Sequence, residues 1–251
     1  MEILRRLIYL APLFSIFLVS GCNNENAPDC FKESGKLETV TITTFDSFET
    51  LVIHDDISVE IIETENDDYF ELSYGKNLLS KVDFESINDS LLVYNNNRCG
   101  WVRNFNKPEL KWYTSKATNT IISLSIGKIR NKDTLRNNLQ VRTENAISEV
   151  NLTVNNNYTR LISNSATNFT LTGFTDKLQM ISYFGDGQYD GKNLVCREAD
   201  ILQRGYNNMW VNAVETLEVR VENAGIVYYT GAPDLQQQVS NGGKLVYVEA
   251  F

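Results

Sequence analysis

Turn-forming residues recur through the second half of this chain at Asn145, Asn164, Gly185, Gly205, Asn223 and Gly242, with gaps of 19, 21, 20, 18 and 19 residues. A short apolar segment precedes each turn, for example Leu139–Val141, Leu161–Ile162, Leu178–Ile181 and Leu217–Val221. Another follows each, among them Ile147–Val154, Phe169–Leu171, Met209–Val214 and Ile226–Tyr229. A unit of strand, turn and strand in about 20 residues cannot bury its apolar side alone, so successive units must stack. The repeat therefore predicts an all-β chain wound as a parallel β-helix, or solenoid, with rungs of about 20 residues.

Asparagine fits that reading. It occurs 28 times in 251 residues. Rungs bend at repeated tight turns, where Asn tolerates the left-handed conformation, and Asn side chains can pair from rung to rung.

The first half is also β-rich. Val40 and Ile42 alternate with threonines, and Leu51–Thr64 holds two apolar stretches around an Asp55–Asp56 turn. Tyr69–Tyr74 alternates, and two further segments, Lys81–Phe84 and Ser90–Tyr94, flank a turn at Ile87–Asp89. Lys76–Ser80 has room for one helical turn. One domain is expected over residues 37–251, preceded by a polar tether at 22–36.

The N-terminus reads as an address. Arg5 and Arg6 precede an apolar run from Leu7 to Val19, shorter than the roughly 20 residues that span a bilayer. Val19, Ser20 and Gly21 then lead into Cys22. The order of basic, apolar and small residues before a cysteine resembles the bacterial lipobox, which implies cleavage of a signal peptide at 1–21 and lipidation of Cys22. The expected location is the bacterial envelope, as an outer-membrane lipoprotein facing the periplasm or the cell surface, with the membrane as a partner through the lipid. Loss of residues 1–21, with Glu2, Arg5 and Arg6, takes the formal net charge from −9 to −10. That sign disfavours nucleic acid as a partner.

Three cysteines remain. Cys30 and Cys99 lie in polar, loop-like surroundings, whereas Cys196 follows Leu194 and Val195 and reads as a buried small hydrophobe. A Cys30–Cys99 disulfide is favoured in an oxidising compartment; no disulfide, or pairing with Cys196, is the alternative.

Chemistry-bearing constellations are sparse. His54 is the single histidine and has no nucleophile context. Glu60, Glu63, Glu65, Asp67 and Asp68 read as a solvated strand end. The segment Gly185–Gly191 places Asp186 and Asp190 between glycines; they are weak candidates for calcium, since the unit occurs once, and no cofactor is otherwise expected. Aromatics recur at Phe169, Tyr189, Trp210, Tyr228 or Tyr229, and Tyr247. They read first as an internal stack. If they face outward, Trp210, Tyr189 and Tyr229 form a ligand platform for a glycan or a surface protein. Alternation with Met209, Val211 and Ala213 puts Trp210 on the outer side.

Residues 45–97, from FDSFETLVIHDD to SLLVYNNN, and the closing segments AGIVYYTGAP and SNGGKLVYV together resemble the head GIN domain family of Gram-negative lipoproteins, the putative auto-transporter adhesins. Gly225, Val227, Tyr229, Gly231 and Pro233 match the family's final rung, and Cys99, Trp101 and Arg103 match a loop found in a subset. The resemblance implies a single right-handed β-helix on a lipid anchor and supplies no catalytic residues. A non-enzymatic adhesion or binding role is expected. Two alternatives stand beside it. One is a polysaccharide lyase-like enzyme, with Arg197 or Arg204 as base near Asp186 and Asp190. The other is an envelope scaffold, for which an exposed apolar face would argue.

Overall fold

The computed structural model describes residues 33–98, 107–144 and 147–251. Seven strands occupy the N-terminal part: β1 (Leu37–Ile42), β2 (Thr50–Asp55), β3 (Ser58–Glu63), β4 (Tyr69–Gly75), β5 (Val82–Ile87), β6 (Ser90–Asn95) and β7 (Glu109–Thr114). Ten more follow: β8 (Thr118–Ser125), β9 (Ile129–Asn131), β10 (Asn138–Thr143), β11 (Glu149–Ser163), β12 (Asn168–Ser182), β13 (Tyr189–Gln203), β14 (Asn208–Val221), β15 (Ile226–Thr230), β16 (Asp234–Val239) and β17 (Lys244–Tyr247). A single 3-10 turn, Leu79–Lys81, falls where one helical turn was expected.

The expected solenoid is present, with about six turns. One face stacks β6, β2, β8 and β10 in parallel. It continues through the C-terminal halves of β11 to β14 and ends at β16. The other stacks β7, β3 and β9, then the N-terminal halves of β11 to β14, then β15 and β17. The register carries Val150 to Phe169, Tyr189, Met209, Val227 and Leu245 in turn, so each rung takes 18 to 20 residues.

Successive side chains of a strand point to opposite sides. Hence Leu139, Val141, Leu161, Met180, Ile201 and Val219 line the interior at 0–1% exposure while their neighbours face solvent. Burial of each such side chain contributes about 1.5–3 kcal/mol. Two glycines let the rungs bend between faces. Gly173 (φ 104°) and Gly231 (φ 97°) sit where a Cβ would lie 2.1 and 2.0 Å from the carbonyl oxygens of Val154 and Ala213.

The turns between faces fall at the expected repeat positions from Asn164 onward; Asn145 lies outside the described residues. The asparagines work differently from the expectation. Among the described residues only Asn88 and Asn241 have positive φ. Instead, Asn side chains donate to backbone carbonyls about one rung away: Asn156 to Asn137 at 3.0 Å, Asn223 to Arg204 at 3.3 Å and Asn241 to Glu222 at 3.0 Å. They satisfy the carbonyls that a bend takes out of the ladder.

The N-terminal end is closed by an excursion. After β3 the chain leaves the stack and returns as β8, so that Leu51 pairs with Ile121. Within the excursion β5 pairs antiparallel with β6, β4 with β7, and β1 with β4. Phe45, Phe48, Phe70, Phe84 and Trp112 pack together inside this cap, with ring centroids 5.2–6.2 Å apart.

Candidate functional site

The outer side of the second face carries one aromatic and cationic cluster. Asp190, Trp210 and Tyr228 occupy one row across β13, β14 and β15. The rings of Trp210 and Tyr228 are stacked, 5.6 Å between centroids and 10° between planes. Strand β13 has extra residues between Asp190 and Val195 relative to β14. This bulge carries Lys192 over the Trp210 ring, with Nζ 4.6 Å from its centroid and 3.0 Å from Asp190 Oδ2. Both faces of the Trp210 ring are thus occupied. Outward, the cluster presents ring edges, an ammonium and a carboxylate.

Lys192 also lines a groove of about 480 Å³ with Asn212, Thr230, Gly231, Tyr247 and Glu249. Donors, acceptors and an aromatic ring converge there. The groove is fixed from beneath, since Thr230 Oγ1 donates to the Glu249 carbonyl at 3.1 Å.

The expected platform is therefore corrected in two members. Tyr189 is 1% exposed; it stacks on Phe169 at 4.6 Å inside the solenoid and donates to the Ile181 carbonyl at 2.9 Å. Burial pushes its hydroxyl pKa well up. Tyr229 points inward, in register with Val211 and Tyr247, and is half-buried. Trp210 is on the outer side as expected, between Met209 and Val211, both 0% exposed. Tyr228, not Tyr229, is its outward partner. A repeat counted to within a residue or two does not fix parity, and a slip of one residue moves a side chain to the other face.

The calcium candidates do not converge on one site. Asp186 lies in an exposed turn, whereas Asp190 accepts from the Lys192 amide at 3.1 Å and pairs with its ammonium. Among the described residues no group of three or more acidic, histidine or cysteine side chains could hold a metal. Gly185 has φ 98°, and at Gly187 a Cβ would meet the Thr167 carbonyl at 2.0 Å, so the glycines of this segment serve the turn and the rung contact.

The acidic residues at the end of β3 are structural. Glu60 accepts from Arg130 at 3.1 Å, Glu63 from the amides of Arg136 and Asn137, and Asp68 from Ser115. His54 stacks on Tyr94 at 4.3 Å. Arg197 is held by Glu215 at 2.7 Å and Asp176 at 3.4 Å, and the Glu215 hydrogen bond raises its pKa further. Arg204 is paired with Glu222, again with a raised pKa. Neither guanidinium can release a proton as a base. Cys22, Cys30 and Cys99 lie outside the described residues, as do Trp101 and Arg103. Cys196 is a buried free thiol, as expected, with burial pushing its pKa to about 12.

One surface was not anticipated. Ile126, Ile147, Phe184 and Tyr206 stand on successive turns along one edge, exposed by 51, 76, 73 and 71%. Reading back from the Ile129, Val150, Phe169, Tyr189 and Met209 register places Ile126, Ile147 and Tyr206 in one column, with Phe184 in the longest turn. The sequence signal was an aromatic beside turn glycines, at Phe184–Gly185 and Gly205–Tyr206.

The profile of the family described as "Putative auto-transporter adhesin, head GIN domain" matches residues 47–233. No curated protein matches in sequence. Solved structures do. A protein of Bacteroides fragilis NCTC 9343, described as a putative adhesin, superposes with a TM-score of 0.71 at 16% identity, covering 85% of this chain and 97% of that one. A "putative lipid binding protein" of Parabacteroides distasonis ATCC 8503 gives 0.63 at 14% identity, over 86% and 98% of the two chains. A putative adhesin of Parabacteroides merdae ATCC 43184 gives 0.62 at 18% identity, over 86% and 97%. At these identities the likeness is one of fold.

Proposed function

The chain belongs to the head GIN domain family, and from that premise we propose that it is a non-catalytic binding protein of the bacterial envelope, held to the membrane by a lipid on Cys22. The observation that carries the binding role is the polar groove beside the Lys192–Trp210–Tyr228 stack. A rigid sheet face presents there an ammonium, an amide, a carboxylate and a tyrosine ring within one recess, which suits a polyhydroxylated ligand such as a glycan. The ring faces of Trp210 are taken, so Trp210 acts by holding Lys192 in place, and hydrogen bonds within the groove select the ligand. The names of the solved relatives, adhesin and lipid binding protein, are names of binding rather than of catalysis. The committed guanidinia of Arg197 and Arg204 weigh against the lyase reading.

Glycan-array binding by the chain from residue 22 tests this, together with release assays on acidic polysaccharides. Lys192→Met and Asn212→Ala are expected to lower binding at least tenfold without loss of fold. Product release from any polysaccharide defeats the reading. Cys22→Ala is expected to move the protein from the membrane to the soluble fraction; unchanged fractionation defeats the anchor.

A second reading, an envelope scaffold, is favoured by the apolar turn edge of Ile126, Ile147, Phe184 and Tyr206. Replacing Phe184 and Tyr206 by serine separates the two: it impairs assembly with a partner protein and leaves glycan binding intact.

A further inference from the structure

We propose that the C-terminal end of the solenoid is a self-association surface, on which a second copy of the chain stacks end to end about a two-fold axis. Among the described strands β16 pairs only with β14, and β17 only with β15. Each therefore has one edge of backbone N–H and C=O groups with no strand beside it. The interior is open at the same end. Leu217, Val219 and Val221 are 0–1% exposed, but of the residues one rung further on, Leu235, Gln237 and Val239, Val239 is 41% exposed. On the other face Val211 is 0% exposed, and Tyr247, two rungs on, is 56% exposed.

Natural sheet edges are blunted by charge, proline or bulges, because an open edge invites another strand. No charged residue or proline lies within Leu235–Val239 or Leu245–Tyr247. The opposite end differs. Its outermost strands, β1 and β5, run antiparallel to their neighbours and carry Glu38, Asp83 and Glu85. That asymmetry favours a closed two-fold pairing of like ends over a head-to-tail filament.

The edge sequence also complements itself. When two copies of β16 pair antiparallel with Gln237 opposite its own mate, Leu235 falls opposite Val239, and all three positions stay on the interior side. The two Gln237 amides can then donate to each other. Charged Asp234 falls opposite Ser240, outside this centre.

The test is sedimentation of the chain from residue 22, carrying Cys22→Ala, from about 1 μM to 1 mM, a range set by the small size of the contact. Hydrogen exchange is read at both limits. The mass is expected to rise toward twice that of the monomer. Amides of β16 and β17 are expected to gain at least tenfold protection at the high concentration, with those of β1 and β5 unchanged. Gln237→Lys is expected to hold the protein monomeric, and Ser86→Lys at the other end to leave the dimer intact. A monomer across the range, or a dimer indifferent to Gln237→Lys, overturns the proposal. So does concentration-dependent protection at β1 and β5 instead. Glycan binding is read separately on the same samples, so failure of the dimer is distinguishable from failure of the groove.

Discussion

At the scale of single residues, what decides tolerance is where a side chain meets the next rung. Gly173 adopts φ 104°, and a Cβ there would lie 2.1 Å from the Val154 carbonyl. Gly173→Ala is expected to cost about 1–3 kcal/mol from backbone strain alone, with the contact adding to it. Chemical denaturation measures this; a cost under about 0.5 kcal/mol, the range of a surface change, refutes it. Cys196 shows the same dependence on burial through its chemistry. Its thiol pKa rises to about 12, because burial disfavours the thiolate. A neutral form favoured by folding stabilises the protein below the ordinary thiol value, near 8.5, and that contribution fades as pH climbs from there toward 12. The peptide containing Cys196 should therefore resist thiol reagents at pH 8 in the native protein and react once denaturant is added. Rapid native labelling contradicts the buried assignment. Apolar alternation around Cys196 was enough to place this residue from sequence, as it was for Trp210. For Tyr189 and Tyr229 it was not, because a bulge in β13 and unequal rung lengths shift parity without changing composition.

At the scale of the element, the turns bring in polar residues that an apolar pattern conceals. Thr143, Ser163, Ser182 and Gln203 share one register column at the end of the first face and are 0–1% exposed. Thr143 Oγ1 donates to Ser163 Oγ at 2.9 Å, and Gln203 Nε2 to Asn207 Oδ1 at 2.7 Å. Asn207 in turn donates to the Gly187 carbonyl of the preceding rung. These residues repeat with the rung, so the signal was present in the sequence. It was illegible because Ser, Thr and Asn at segment ends look like ordinary loop composition, and only stacking reveals that they bond one another inside. Removing one partner leaves others buried without a bond, at a cost of about 1–3 kcal/mol. Asn207→Ala is expected to fall in that range by denaturant titration. Asn223→Ala, whose 3.3 Å bond to Arg204 is exposed, should cost far less. Equal costs at the two positions count against the corner network as a source of stability.

At the scale of the whole molecule, the stack was legible and its cap was not. Neighbouring rungs are related by about 20 residues, a short separation that repeats and so shows in a single sequence. Strands β2 and β8 are adjacent only because the chain departs between them for the whole of β3 to β7. Strand alternation there gave the segments without their partners, since antiparallel β1–β4 and β4–β7 pairs leave no periodic mark. The consequence is energetic. A solenoid's stability is close to a sum over rungs and the contacts between them, so an end rung must be closed or it frays. Here the closure is aromatic: Phe70 and Trp112, both 0% exposed, pack with Phe48 under the first rungs, and Lys116 Nζ sits 3.4 Å from the Phe48 ring centroid. Phe70→Ala is expected to cost about 3–5 kcal/mol, the range for emptying a packed aromatic site. Trp210→Ala, which forfeits an outward stack, should cost about 1 kcal/mol. Because the cap is continuous with the stack through β2 and β3, the Phe70 variant should lose protection first in β1 to β7 and then along successive rungs. Hydrogen exchange resolved by strand reads that order; loss confined to β15–β17, or a Trp210→Ala cost as large as that of Phe70→Ala, would show that the N-terminal cap does not govern the solenoid.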